Sequence, residues 1–133
     1  MSLLQNNTMT PSEQFFRKAP GNYNCAQAIL KGFEQEFSID NSQIDTFRAF
    51  GGGRAPLGVC GALFAAQQLA PHKATELQAD FIKLCGSAYC RELKQQRKVS
   101  CEECVKVADR LLRGLDYQTT QQQANAQFPL PIL

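Results

Sequence analysis

Tryptophan is absent from the sequence and histidine occurs once, as His72. Following Pro71, this histidine reads as a surface residue at a helix start, which leaves a cysteine–histidine hydrolase poorly supported. An excess of charge is missing too. Lys and Arg number 14 against 12 Asp and Glu, a formal net charge of +2, too small to point to nucleic acid or a membrane surface as partner. No apolar run reaches the ~18 residues that a membrane span requires, so no insertion into a bilayer is expected. The stretch Met1–Thr10 lacks the basic start and apolar centre of an export signal, and the expected location is the cytoplasm. Sustained period-two alternation is also absent, so strands are not needed to account for the pattern.

What is present is a chain of 133 residues, the size of one domain, with 44% apolar residues and six cysteines. A chain this long can build its core without disulfides, so the cysteines need another explanation. In a reducing compartment, clustered cysteines bind metal or do redox work more often than they cross-link.

The expected fold is all-α, a compact bundle of five to six short helices. A first is expected across Pro11–Lys18. A second begins after Asn22 or Asn24 and carries Cys25, Ile29, Phe33 and Phe37 at four-residue spacing. A third follows Asp40 or Asn41 and stops at Gly51-Gly52-Gly53, because consecutive glycines do not sustain a helix. From Val59 to Ala70 a small-residue helix is expected, with Cys60 in its first turn. Another runs from about Leu77 to Cys85 before Gly86, and a short basic segment spans Cys90–Lys98. Ser100 and Glu103 form a capping-box pattern ahead of Cys101, Cys104, Val105, Ala108, Leu111, Leu112 and Leu115 on one face. Residues 1–10 read as a polar extension, 11–116 as the cysteine-rich domain, and 117–133 as a Gln-rich, flexible tail whose apolar end, Phe128–Leu133, offers a docking segment.

Three of the cysteines, Cys25, Cys60 and Cys101, are expected in the first turn of a helix, where free N–H groups and the helix dipole favour a thiolate. Two four-cysteine sets can be drawn. The local set, Cys85, Cys90, Cys101 and Cys104, has the paired spacing of a small zinc or iron–sulfur knuckle. Against it, Cys101 and Cys104 lie one helical turn apart on an apolar stripe. The dispersed set, Cys25, Cys60, Cys90 and Cys101, can meet only on folding.

Other patterns add detail. Neither nucleotide-binding glycine fingerprint holds, because Pro56 replaces the third dinucleotide glycine and Val59-Cys60 follows Gly58 where a phosphate loop needs Lys-Ser/Thr. The glycine-rich stretch reads as a turn delivering Cys60; Gly53, Gly58 and Gly61 are candidates to let N–H groups or backbone approach a bound cofactor, with Arg54 adding positive charge. Arg91 and Glu92 are candidates to orient Cys90. The basic face of Lys94, Arg97, Lys98, Lys106, Arg110 and Arg113 is either solvated surface or a dock for an acidic redox partner protein. A homodimer is also plausible from the small size of the domain.

Four blocks occur in a telling order: Asn24-Cys25-Ala26-Gln27-Ala28; Gly51-Gly52-Gly53 through Gly58-Val59-Cys60-Gly61-Ala62; Gly86-Ser87-Ala88-Tyr89-Cys90-Arg91-Glu92-Leu93; and Cys101-x2-Cys104-Val105-x2-Ala108. Over roughly residues 12–115 the sequence resembles the C-GCAxxG-C-C family of small redox-active proteins. The resemblance implies that Cys25, Cys60, Cys90 and Cys101 are the family's four cysteines, leaving Cys85 and Cys104 as extras. It implies redox activity, and is similar to a cysteine-rich domain that accompanies iron–sulfur binding in some multihaem cytochromes. Two departures stand out: Ala65 takes the place of the family's last block glycine, and Val105 after Cys104 removes any Cys-x-x-Cys-His haem site. The first expectation is therefore an iron–sulfur cluster, most simply [2Fe–2S], on Cys25, Cys60, Cys90 and Cys101. The alternatives are metal-free thiol–disulfide chemistry by the same cysteines, with Cys101 and Cys104 as an accessory pair, and a structural zinc module on Cys85, Cys90, Cys101 and Cys104.

Overall fold

The computed structural model describes residues 9–123, without the side chains of 115–123. Six α-helices follow in order: α1 (Cys25–Gly32), α2 (Asn41–Thr46), α3 (Gly61–Leu69), α4 (Ala74–Cys85), α5 (Cys90–Gln96) and α6 (Cys101–Gln123). Single 3-10 turns fill the connections at Glu13–Phe15, Phe47–Phe50, Pro56–Gly58 and Pro71–Lys73. Among the described residues there is no strand, only two isolated bridges, Phe16 with Tyr23 and Val59 with Tyr89. The all-α expectation holds.

Helix α3 lies at the centre and packs against α1, α4 and α6. Its inward positions are Ala62, Ala65 and Ala66, each with no exposed surface, so three helices can close on it at short range. Around them Ile29, Phe33, Leu63, Leu77, Phe81, Val105 and Leu112 are buried to 1% exposure or less. Burying each such side chain contributes about 1.5–3 kcal/mol, and this apolar layer is the main source of stability.

The first expected helix is corrected to the turn Glu13–Phe15. The competing interaction is with α6: the buried carboxylate of Asp109 accepts from the Ser12 N–H at 3.1 Å and from its hydroxyl at 2.5 Å. Arg17, at φ 54°, then turns the chain so that its N–H meets the Tyr23 carbonyl at 2.9 Å. Helix α1 stops earlier than the Phe33–Phe37 periodicity predicts. Gly32 lies so close to Ser12 that a side chain there would overlap it, and Arg113 on α6 crosses the same point, bonding Asp109 at 3.0 Å and Glu36 at 2.9 Å. Phe37 still packs edge to face on Phe33, with centroids 5.8 Å apart.

The capping chemistry matches the sequence reading. Asp40 caps α2, Ser100 caps α6 with reciprocal bonds to Glu103 at 2.8 and 3.0 Å, and Gly86 closes α4 at φ 102°. The backbone of α6 runs on to Gln123, past the domain end expected at residue 116. The apolar end Phe128–Leu133 lies outside the described residues, as do residues 1–8 of the N-terminal extension. Among the described residues, no helix is long and apolar enough to cross a membrane.

Candidate functional site

Four cysteines open four helices. Cys25, Cys90 and Cys101 are the first residues of α1, α5 and α6, and Cys60 is the residue that caps α3. Cys60 thus stands one position ahead of the expected first turn, with extended backbone at ψ 130°. Cys90 joins this arrangement although its place at a helix start was not read from the sequence.

Local bonds fix each position. At α1, Asn24 and Gln27 form a capping box, with bonds of 2.8 and 3.1 Å, and the Asn24 amide also donates to the Arg48 carbonyl at 2.9 Å. That bond ties the helix start to the turn ahead of the glycine triplet. Arg54 is committed to the same turn, donating to the carbonyls of Gly51 at 3.1 Å and Arg48 at 3.3 Å. The triplet folds back over α1, and the Gly52 N–H donates to the Cys25 sulfur. At α3, the Cys60 N–H donates to the Ala88 carbonyl at 2.8 Å beside the Val59–Tyr89 bridge, so the segments leading to Cys60 and Cys90 are clasped side by side. The Cys60 sulfur in turn accepts from the N–H groups of Ala62 and Leu63. At α5, the Ser87 hydroxyl donates to Glu92 at 2.6 Å and accepts from the Tyr89 N–H at 3.0 Å. Glu92 therefore positions Cys90 through the turn, whereas Arg91 is exposed.

The four helix starts face one cavity of about 510 Å3. Its wall contains Cys25, Cys60, Cys90 and Cys101, a fifth thiol from Cys104, and the backbone of Gly52 and Gly61. Phe16, Leu93 and Val99 supply apolar surface, and Arg17, Lys94, Arg97 and Lys98 bring positive charge to it. Cys85, at the end of α4, is buried and lies outside this wall.

The candidate glycines fall in different places. A Cβ on Gly61 would stand 2.7 Å from both the Cys25 sulfur and the Phe50 carbonyl oxygen, so this glycine permits the approach of α1 to α3. A Cβ on Gly53 would lie 3.7 Å from the Cys90 sulfur, while Gly58 has nothing within 4 Å and turns the chain at φ 77°. Ala65 is fully buried and does not line the cavity. The basic face divides: Lys94, Arg97 and Lys98 are at the cavity, Arg113 is bound to Asp109 and Glu36, and Lys106 lies 3.9 Å from Glu13. Phe16 and Arg17 were not anticipated as cavity residues; no local pattern marks them, because they arrive through the Ser12–Asp109 contact. His72 is exposed, as expected.

The expectation that helix starts would favour thiolates is overturned at Cys25 and Cys60. Burial pushes Cys25 up to about 12, with its neighbours Cys60 and Cys101 adding to the rise and the Gly52 N–H opposing it. Cys60 is held well above the ordinary range, first by its hydrogen bond with Cys104 and then by burial. Burial also raises Cys90, although Lys94 pulls the other way. Loss of water around the sulfurs outweighs the helix dipoles, and in the metal-free protein these thiols stay protonated at neutral pH. A bound metal replaces such protons and reverses that balance.

All five cavity thiols are soft donors, and backbone N–H groups already point at two of them, so the wall suits a thiolate-held group. Among the described residues no three His, Cys, Asp or Glu side chains are grouped closely enough to hold a single metal ion. All six cysteines are free.

No curated protein and no solved structure matches the chain. A family model does match, over residues 23–115, and its description reads "Putative redox-active protein (C_GCAxxG_C_C)". That span begins just before Asn24-Cys25 and ends within α6, enclosing all four helix starts at the cavity, and the chain belongs to this family of redox-active proteins.

Proposed function

We propose that the protein is an electron carrier in which Cys25, Cys60, Cys90 and Cys101 hold an iron–sulfur cluster in the cavity. The observation that carries this reading is the delivery of four thiols, from four separate helices, into one wall. Their donor chemistry is pure sulfur, as iron–sulfur clusters require. When bound, such a cluster supplies a one-electron couple.

The chain's own residues define how that couple would be set. The N–H groups of Gly52, Ala62 and Leu63 donate to the sulfurs of Cys25 and Cys60, which stabilises negative charge there and shifts a potential upward. Phe16, Leu93 and Val99 exclude water from part of the wall, while Lys94 lowers the cost of charge at Cys90. A [2Fe–2S] group is the simplest that four ligands accommodate. The zinc alternative loses support, because Cys85 stands outside the cavity that holds Cys90, Cys101 and Cys104.

Purification without oxygen, followed by visible spectroscopy and iron and sulfide analysis, tests the assignment. Broad visible absorption with matched iron and sulfide is expected, either as isolated or after reconstitution. Cys25→Ser and Cys60→Ser should lose it, and Cys85→Ser should keep it. A colourless protein with tightly held zinc, or a chromophore that survives the Cys25 and Cys60 substitutions, would overturn the reading.

A further inference from the structure

Cys104 lies outside the four-cysteine pattern, yet it lines the same cavity and is only 4% exposed. Cys104 has Cys60 as a neighbour on one side and Cys85 on the other, each close enough to bear on its ionisation. Of the three, Cys60 and Cys104 border the cavity, whereas Cys85 lies behind. A small oxidant entering the cavity reaches the first two and not the third.

We propose that Cys60 and Cys104 form a two-electron thiol–disulfide couple, closed by a peroxide, that withdraws Cys60 from the cavity's ligand set. The chemistry balances with hydrogen peroxide as the oxidant. The Cys60 sulfur attacks one peroxide oxygen, the O–O bond breaks, and the thiol proton leaves on water, giving a sulfenic acid. The Cys104 sulfur then attacks the Cys60 sulfur, the S–O bond breaks and a second water departs with the remaining proton. Two thiols are oxidised to one disulfide and one peroxide is reduced to two waters. Attack by Cys104 first gives the same disulfide, since both sulfurs border the cavity. Cys60 also joins the end of a loop to the cap of α3, after the turn at Gly58, whereas Cys104 lies within α6. Of the two, Cys60 is the one that a bound group would need.

This proposal rests on the cluster reading only for its last clause, the withdrawal of a ligand, and the test separates the two. The full-length reduced, metal-free protein is treated with one equivalent of hydrogen peroxide, blocked with an alkylating reagent, digested without reductant and analysed by mass spectrometry. A linked peptide pair joining Cys60 to Cys104 is expected, with a loss of about 2 Da from the intact chain and two fewer free thiols. Cys85→Ser should still form the link, and Cys104→Ser should not. A link between Cys104 and Cys85, between Cys101 and Cys104, or sulfinic acid with no link overturns the couple. Oxidised and reduced protein are then reconstituted with iron and sulfide. Loss of loading in the oxidised wild type, retained in peroxide-treated Cys104→Ser, supports the withdrawal. Undiminished loading in a protein whose Cys60–Cys104 link is confirmed leaves the couple standing and removes Cys60 from the ligand set.

Discussion

Helix α6 carries two buried polar sites built on opposite rules. Around Asp109 every strong group has a partner: its carboxylate receives the Ser12 N–H and hydroxyl and the Arg113 guanidinium, which also reaches Glu36 and stacks 4.2 Å above Phe33. At Cys104 the neighbouring Cys60 favours the charged form, but Cys85 and burial outweigh it and hold the thiol neutral, and a cavity is left open beside Cys101 and Cys104. The first site is complete within the chain. The second is not closed within the chain, and the comparison separates polar burial that holds a fold from polar burial that sets thiols beside an open cavity.

The sharpest way to break the comparison is to damage the complete site. Asp109→Ala leaves the half-buried Arg113 guanidinium and the buried Ser12 N–H without their shared acceptor, and should cost about 3 kcal/mol in denaturant unfolding. If the loss is under a kilocalorie, the polar cluster is not the brace described here.

Gly61→Ala places a methyl 2.7 Å from both the Cys25 sulfur and the Phe50 oxygen. Overpacking of this kind costs about 1–3 kcal/mol, and iron retained after reconstitution should fall further than stability does, because the shift is taken up at the cavity. Equal iron content in mutant and wild type would place the strain elsewhere.

Asn24→Ala removes the cap of α1 and its bond to the Arg48 carbonyl, for about 1 kcal/mol. Thermal unfolding measures this, and faster alkylation of Cys25 in the metal-free mutant would show that the cap also sets the sulfur's position.

The smallest effect lies near neutral pH. In the metal-free protein, Cys25 is raised from 9.0 to about 12, so the folded state keeps its proton over a range where the unfolded state has lost it. Stability from this group is complete below about 9 and declines as pH rises toward about 12. Denaturation midpoints should therefore be flat around neutrality and fall only on the alkaline side; stability that rises with pH through neutrality would mean a thiol already ionised in the folded state.

Much of the fold was legible in the sequence because its signals are local. Ser100 with Glu103, Asp40 before α2, the glycine triplet and Gly86 each mark a helix boundary through bonds within a few residues. The helix-start positions of Cys25 and Cys101 were legible for the same reason, and that of Cys90 was not. The misreadings come from contacts distant in sequence: Ser12 gives up a helix for Asp109, and α1 ends where Gly32 meets Ser12. Thiol ionisation was misjudged because a helix start can be read from sequence, whereas the water excluded from a sulfur is a property of the packed whole. Phe16 and Arg17 entered the cavity unannounced by that same long-range contact.

The clasp between the Cys60 and Cys90 segments has a consequence in polymer terms. The cavity thiols run from Cys25 to Cys101, so the wall is assembled from chain ends that only the folded topology brings together. A group held by those thiols would cross-link the chain at four points, and its release would restore the entropy of every loop between them. A fragment that lacks α1 or α6 keeps only three of the four thiols, and occupancy and folding should rise and fall as one quantity.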